Sequence, residues 1–104
     1  MKYSFTESEL KILKDLLLDP LFKKSATIWL FGSRARGDHQ KFSDVDILYS
    51  VPDTLNLSSG YISEIKENLE NSNFPYKVDL VDINSLAKSY YDNVMKDRVE
   101  LKKV

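Results

Sequence analysis

No cysteine occurs in the 104 residues, which excludes both a disulfide framework and a thiolate metal site. No apolar run approaches the ~20 residues needed to cross a bilayer. The first residues, MKYSFTESEL, lack the apolar core of a signal peptide, so no membrane role and a cytoplasmic location are expected. An excess of positive charge is missing too. Fifteen basic and sixteen acidic side chains leave a formal net charge of −1. Proteins that grip nucleic acid regardless of sequence depend on a basic surplus that displaces counterions from phosphates. A strong non-specific hold on nucleic acid is therefore disfavoured, although a local basic patch stays open.

Also absent are internal repeats, low-complexity runs and linkers, so residues 1–104 read as a single domain. Its composition, 42% hydrophobic and 30% charged, is that of a globular chain rather than a disordered one. A chain this short buries about two-thirds of its unfolded surface, so the core is modest.

Thr6-Glu7-Ser8-Glu9 has the form of a capping box, with Phe5 and Leu10 placed to staple the helix start. Leu10, Leu13 and Leu17, with Ile12 and Leu16 beside them, form a helical stripe. Pro20 predicts an end near Leu18. Thr27 to Phe31 reads as a buried strand closed by Gly32, and Ser43 to Val51 as a second strand stopped by Pro52. Ser58 or Ser59 caps a helix with the stripe Ile62, Ile65 and Leu69. Tyr76 to Val81 is a third strand, and Asn84 or Ser85 opens a last helix running to about Met95. Val99 to Val104 is left as a frayed strand or tail. The fold class is α/β (α+β), a small mixed sheet of at least three strands covered by about four helices.

Three carboxylates interrupt this apolar pattern. Asp44 and Asp46 lie two apart on the second strand, so their Cα atoms are ~6.5 Å apart on one face. Carboxylates at that separation repel unless a cation shares them. Hard oxygen ligands select Mg²⁺ or Mn²⁺, usually completed by substrate phosphates. If Asp79 on the third strand points the same way, three carboxylates converge, enough for two ions ~3.5–4 Å apart. Gly32-Ser33 offers a sharp turn, amides and a hydroxyl for phosphate oxygens, with Arg34 and Arg36 available to neutralise them. Singly, each feature has a plain reading. An Asp-x-Asp is more often a strand edge, and a Gly-Ser simply a turn. Asp79 alone could meet a helix amide. His39 reads as solvated loop, Trp29 and the tyrosines as core and rim.

Together these residues resemble the nucleotidyltransferase superfamily of DNA polymerase beta type, and specifically its minimal single-domain members. The matching signature is a strand, Gly32-Ser33, ten intervening residues, Asp44-Val45-Asp46, and Asp79 in KVDLV. The resemblance covers about Trp29 to Asp82. It implies transfer of a nucleoside monophosphate, AMP from ATP, to a hydroxyl. Asp44, Asp46 and Asp79 would be catalytic and hold two Mg²⁺ (or Mn²⁺) ions, and Gly32, Ser33, Arg34 and Arg36 would bind the nucleotide. Minimal members resembling this chain are typically paired with a helical HEPN protein in toxin–antitoxin systems. The implied acceptor is then a tyrosine of that partner, in a hetero-oligomer. The alternatives are an antitoxin that neutralises its partner by contact, with a nucleotide site that does no chemistry, and a small-molecule enzyme of the aminoglycoside kind.

Overall fold

The structure, a computed structural model, describes residues 3, 5–38, 43–52 and 57–102. His39 and residues 103–104 of the expected tail lie outside them.

Thr6 caps α1 (Glu7–Leu13): its hydroxyl accepts from the Glu9 amide, and the Glu9 carboxylate accepts from the Thr6 amide at 2.9 Å. This is the predicted capping box. The expected stop near Leu18 does not occur. The rod passes through a π-helical segment, Lys14–Leu18, into α2 (Asp19–Phe22), which carries Pro20 in its first turn. Here the Asp19 amide donates five residues back, to the Lys14 carbonyl. The wider turn accommodates a ring that would otherwise clash with the preceding coil. Leu13, Leu17 and Leu21 consequently form one buried stripe.

Four strands form the sheet: β1 (Thr27–Phe31), β2 (Val45–Ser50), β3 (Val78–Asp82) and β4 (Val99–Leu101), in the order β3-β2-β1-β4. β1 runs antiparallel to β2 and β4, whereas β2 and β3 are parallel. Between β1 and β2 comes a single helical turn, α3 (Ser33–Arg36), followed by Gly37 in the left-handed conformation. Parallel neighbours need a crossover, supplied by α4 (Ser59–Glu70), whose cap Ser58 accepts from the Tyr61 amide. The mixed sheet covered by helices is the architecture expected from the sequence.

Other boundaries differ. Tyr76, expected in the third strand, precedes it and packs at 5.9 Å from Phe5 and 5.6 Å from Phe74 between ring centres. Asn84 and Ser85 do not open the last helix. They belong to a short 3-10 turn, Ile83–Ser85, because the Asp82 carboxylate accepts from the Asn84 amide at 2.9 Å. Short polar side chains compete for nearby backbone in this way. The helix, α5 (Lys88–Asp97), starts after it. Of the two readings of the last residues, frayed strand or tail, the strand holds for Val99–Leu101, with Val99, Glu100 and Leu101 opposite Leu30, Trp29 and Ile28.

Alternation along the strands gives the sheet two unlike faces. On one, Ile28, Leu30, Val45, Ile47 and Leu80 pack with the leucine stripe of the rod and with Ile65 and Leu69 of α4. The other carries Trp29, Phe31, Asp46, Leu48 and Asp79. Leu48 is buried there outside the main cluster, and Arg98 lays its guanidinium 4.7 Å from the Trp29 ring centre. α5 is lightly packed, with Val94 its one buried residue. Among the described residues no helix is long and apolar enough to cross a membrane.

Two substitutions test this packing by urea unfolding. Leu30→Ala, in the middle of the sheet and wholly buried, should cost about 2–5 kcal/mol. Thr6→Ala, which removes only the cap, should cost about 1 kcal/mol. A smaller loss at Leu30 than at Thr6 would contradict the assignment of the core.

Candidate active site

The site lies where β1 ends and where β2 and β3 begin. Phe31, the last residue of β1, is opposite Asp46, and Asp46 is the register partner of Asp79 in the parallel pair. Neighbouring strands are ~4.8 Å apart, and partners in register project from the same face. Asp46 and Asp79 therefore stand side by side on the less covered face. Asp44 falls just before β2 rather than within it, and is exposed. The amide of Val45 donates to the Lys77 carbonyl at 2.8 Å, which ties the segment after Asp44 to the entrance of β3.

Gly32 leaves β1 with φ +77°, and a Cβ built on it would overlap Asp46 Oδ2. Only glycine lets the backbone take this bend and the carboxylate come so close. The Gly32 carbonyl accepts from the amides of Ala35 and Arg36, both at 3.1 Å, and the Ser33 carbonyl accepts from those of Gly37 and Asp38. Ser33, partly exposed, thus opens the turn that follows the Gly32 bend beside Asp46.

The two arginines of this turn part company. Arg36 is exposed, with Nε 3.2 Å from Asp38 and Nη1 3.3 Å from Asp97 at the end of α5. Those two hydrogen bonds, that to Asp38 foremost, hold its own proton more firmly. Arg34, expected beside it as a phosphate contact, is only 3% exposed. Its Nε and Nη2 donate to the Ser43 carbonyl at 3.3 and 3.1 Å. Its guanidinium carbon lies 4.2 Å from the Tyr76 ring centre and 4.9 Å from that of Phe5. The first turn of α3 points this side chain into the core, so the expectation is corrected for Arg34; of the two, Arg36 is the exposed one, and its charge is felt at Asp46. Sequence reasoning missed the residues that fix both arginines, namely Asp38 and Asp97, and Phe5 and Tyr76. Asp97 is 61 residues from Arg36, and no local pattern signals such a pair.

Electrostatics mark Asp46. Its carboxyl is pushed up to about 6, first by burial, then by the charges of Asp79 and Asp44, with Arg36 pulling the other way. Among the described residues no group of three His, Asp or Glu side chains is gathered closely enough to hold a metal ion unaided. The donor chemistry nevertheless fits a hard divalent cation. Asp46 and Asp79 are adjacent, Asp44 is close enough to raise the protonation of Asp46, and Mg²⁺ is commonly held by one or two carboxylates completed by substrate phosphates and water.

Residues 18–103 match the family described as Polymerase beta, Nucleotidyltransferase. The chain belongs to that family. It is 30% identical over 88 residues to the "Probable protein adenylyltransferase MntA" of Haemophilus influenzae, covering 85% of this chain and 74% of that protein. It resembles a chain of a toxin–antitoxin crystal structure with AMP-PNP, with TM-score 0.66, 26% identity, and coverage of 88% and 73%. It is also similar to a chain in the structure of a tri-AMPylated Shewanella oneidensis HEPN toxin with its MNT antitoxin. There the TM-score is 0.60 and the identity 30%, over 92% of this chain and 70% of that one. A protein described as a minimal nucleotidyltransferase shares the fold, with TM-score 0.69 at 23% identity over 94% and 98% of the two chains. The nucleotidyltransferase fold expected from the sequence is thereby established.

The raised protonation of Asp46 sets a direction for stability. A carboxyl whose folded value exceeds its unfolded 3.8 contributes stability that is complete below that value and is lost as pH rises through about 6. Near neutral pH in a chelator, Asp46→Asn should therefore melt at a higher temperature than the parent, and the gain should vanish near pH 4. A lower melting temperature at neutral pH would refute this account. Gly32→Ala should instead lower the melting temperature at both pH values, since strain and steric overlap do not titrate.

Proposed function

We propose that this nucleotidyltransferase moves AMP from ATP to a tyrosine hydroxyl of a HEPN-class partner and so acts as an antitoxin. The observation that carries the reading is the register of Asp46 with Asp79 on one face, opposite the Gly32–Ser33 turn. The relatives named for protein adenylyltransfer and for an AMPylated HEPN toxin support the acceptor class.

In this reading the triphosphate lies between the carboxylates and the turn. Ser33 and the bend at Gly32 hold the β and γ phosphates, and Arg36 exchanges part of its contact with Asp38 and Asp97 for phosphate oxygen. Asp44, Asp46 and Asp79 would hold Mg²⁺, or Mn²⁺, which when bound neutralises phosphate charge and acidifies the acceptor hydroxyl. The acceptor oxygen bonds to the α-phosphorus, the bond to the bridging oxygen breaks, and pyrophosphate leaves. Asp79, exposed at the entrance of β3, takes the hydroxyl proton. Alignment and charge neutralisation supply the rate, as in phosphoryl transfer generally.

A second reading, neutralisation by contact alone, draws on the surface of α5. Tyr90 and Tyr91 are 63% and 44% exposed there, and aromatic side chains of this kind are enriched where proteins meet. One experiment separates the two. The chain is incubated with a HEPN-class partner, ATP and Mg²⁺, and the partner is weighed by intact-mass spectrometry. Transfer predicts one AMP added per modified tyrosine and loss of the adduct, by at least about a hundredfold, when Asp44 and Asp46 are both changed to asparagine. No adduct with ATP, other nucleotides or Mn²⁺, together with neutralisation that survives the double change, would replace transfer by contact.

A further inference from the structure

Arg34 is a charge in a place where charge is expensive. It is 3% exposed, and among the described residues no carboxylate makes an ion pair with it. Among the described residues it meets the aromatic faces of Phe5 and Tyr76 and donates to the Ser43 carbonyl. Buried ions are commonly no more stabilising than apolar side chains of similar volume. A guanidinium kept here is therefore best explained by what its fork does, not by the stability it adds.

Its one carbonyl partner belongs to Ser43, immediately before Asp44. The two donors reach from the first turn of α3 across nine positions of chain to that carbonyl. On the other side of Asp44, the Val45 amide is fixed to the Lys77 carbonyl. Asp44 is thus an exposed carboxylate on a backbone pinned on both flanks, by Arg34 in front and by the entrance of β3 behind. Arg34 thus ties the turn of α3 to the segment leading into Asp44, while Asp46 is held inside the sheet by its strand pairing. The rings of Phe5 and Tyr76 set the plane of the guanidinium, so both donors point at one oxygen. Lysine has no such plane and no fork.

We propose that Arg34 is a positioning residue, which clamps the Ser43 carbonyl and so aligns Asp44 with Asp46 and Asp79 for nucleotidyl transfer. The inference rests on the transfer reading and deepens it. It assigns to Arg34 a role distinct from phosphate binding, which falls to Arg36 on the open side of the same turn.

The test is steady-state AMP transfer to the HEPN-class partner by Arg34→Met and Arg34→Lys, with ATP and Mg²⁺ varied separately and melting temperatures recorded. Both variants should lose about ten- to a hundredfold in kcat, the range seen when groups behind a ligand carboxylate are removed. The Mg²⁺ concentration for half-maximal rate should rise, and KM for ATP should move by less than about threefold. Arg34→Met should melt close to the parent, because an apolar side chain suits the pocket. Phe5→Leu, which removes one ring and leaves the guanidinium, should show a weaker form of the same pattern and serves if the Arg34 variants do not fold. The proposal is overturned if Arg34→Lys restores the parent kcat. It is equally overturned if KM for ATP carries the loss, as a phosphate contact requires, or if folded variants transfer at the parent rate. Loss of transfer in Asp44→Asn with parent rates in the Arg34 and Phe5 variants would sink the clamp and leave the transfer reading intact. Full transfer by Asp44→Asn would sink the reading itself.

Discussion

The structure turns on a parallel pairing that sets two like charges side by side. β2 and β3 share a register in which Asp46 meets Asp79, and the antiparallel pairing with β1 brings the Gly32 bend against the same carboxylate. Carboxylates so placed repel, and partial burial strengthens the repulsion. Asp46 shows the result in its raised protonation. The sheet can hold this arrangement because its other face is a continuous apolar core, from the leucine stripe of the rod to Ile65 and Leu69 of α4. Stability won on one face is given up at one end of the other, a division common at functional sites.

The unequal cover of the two faces follows from the connections. The rod and α4 take the core face, and the crossover through α4 makes the parallel pair feasible. The second face is left to Arg98 stacked on Trp29 and to the lightly packed α5. Asp44 and Asp79 are exposed on this side. Arg36 is tied to Asp38 on its own turn and to Asp97 at the end of α5. Exposed ion pairs of this kind contribute little to stability.

Arg34 and Arg36 show how far two positions in one turn can diverge. They are two residues apart on a short helical turn, so they project in different directions. One becomes a planar cation between two rings, holding a carbonyl. The other stays in solvent among carboxylates. Their shared charge says nothing about which is which.

Much of the fold was legible because it rests on local rules. The capping box at Thr6, the strand ending in Gly32, the helix capped at Ser58 and the Asp-Val-Asp segment all carry their signals within a few residues. What could not be read was decided over distance. Pro20 predicts a stop, yet the rod continues because a π turn and the packing of Leu21 accommodate the ring. Val99 to Leu101 is short enough to read as either a frayed strand or a tail, and its pairing with the edge of β1 decides for the strand. By itself the sequence determined which residue types could do this chemistry and the turn and strands that carry them, since spacing and backbone preference are properties of adjacent residues. Only the tertiary structure decided that Asp46 stands next to Asp79, that Arg34 is buried and Arg36 open, and that Asp97 reaches the site. Those outcomes depend on strand register and packing between segments dozens of residues apart, where no local preference acts.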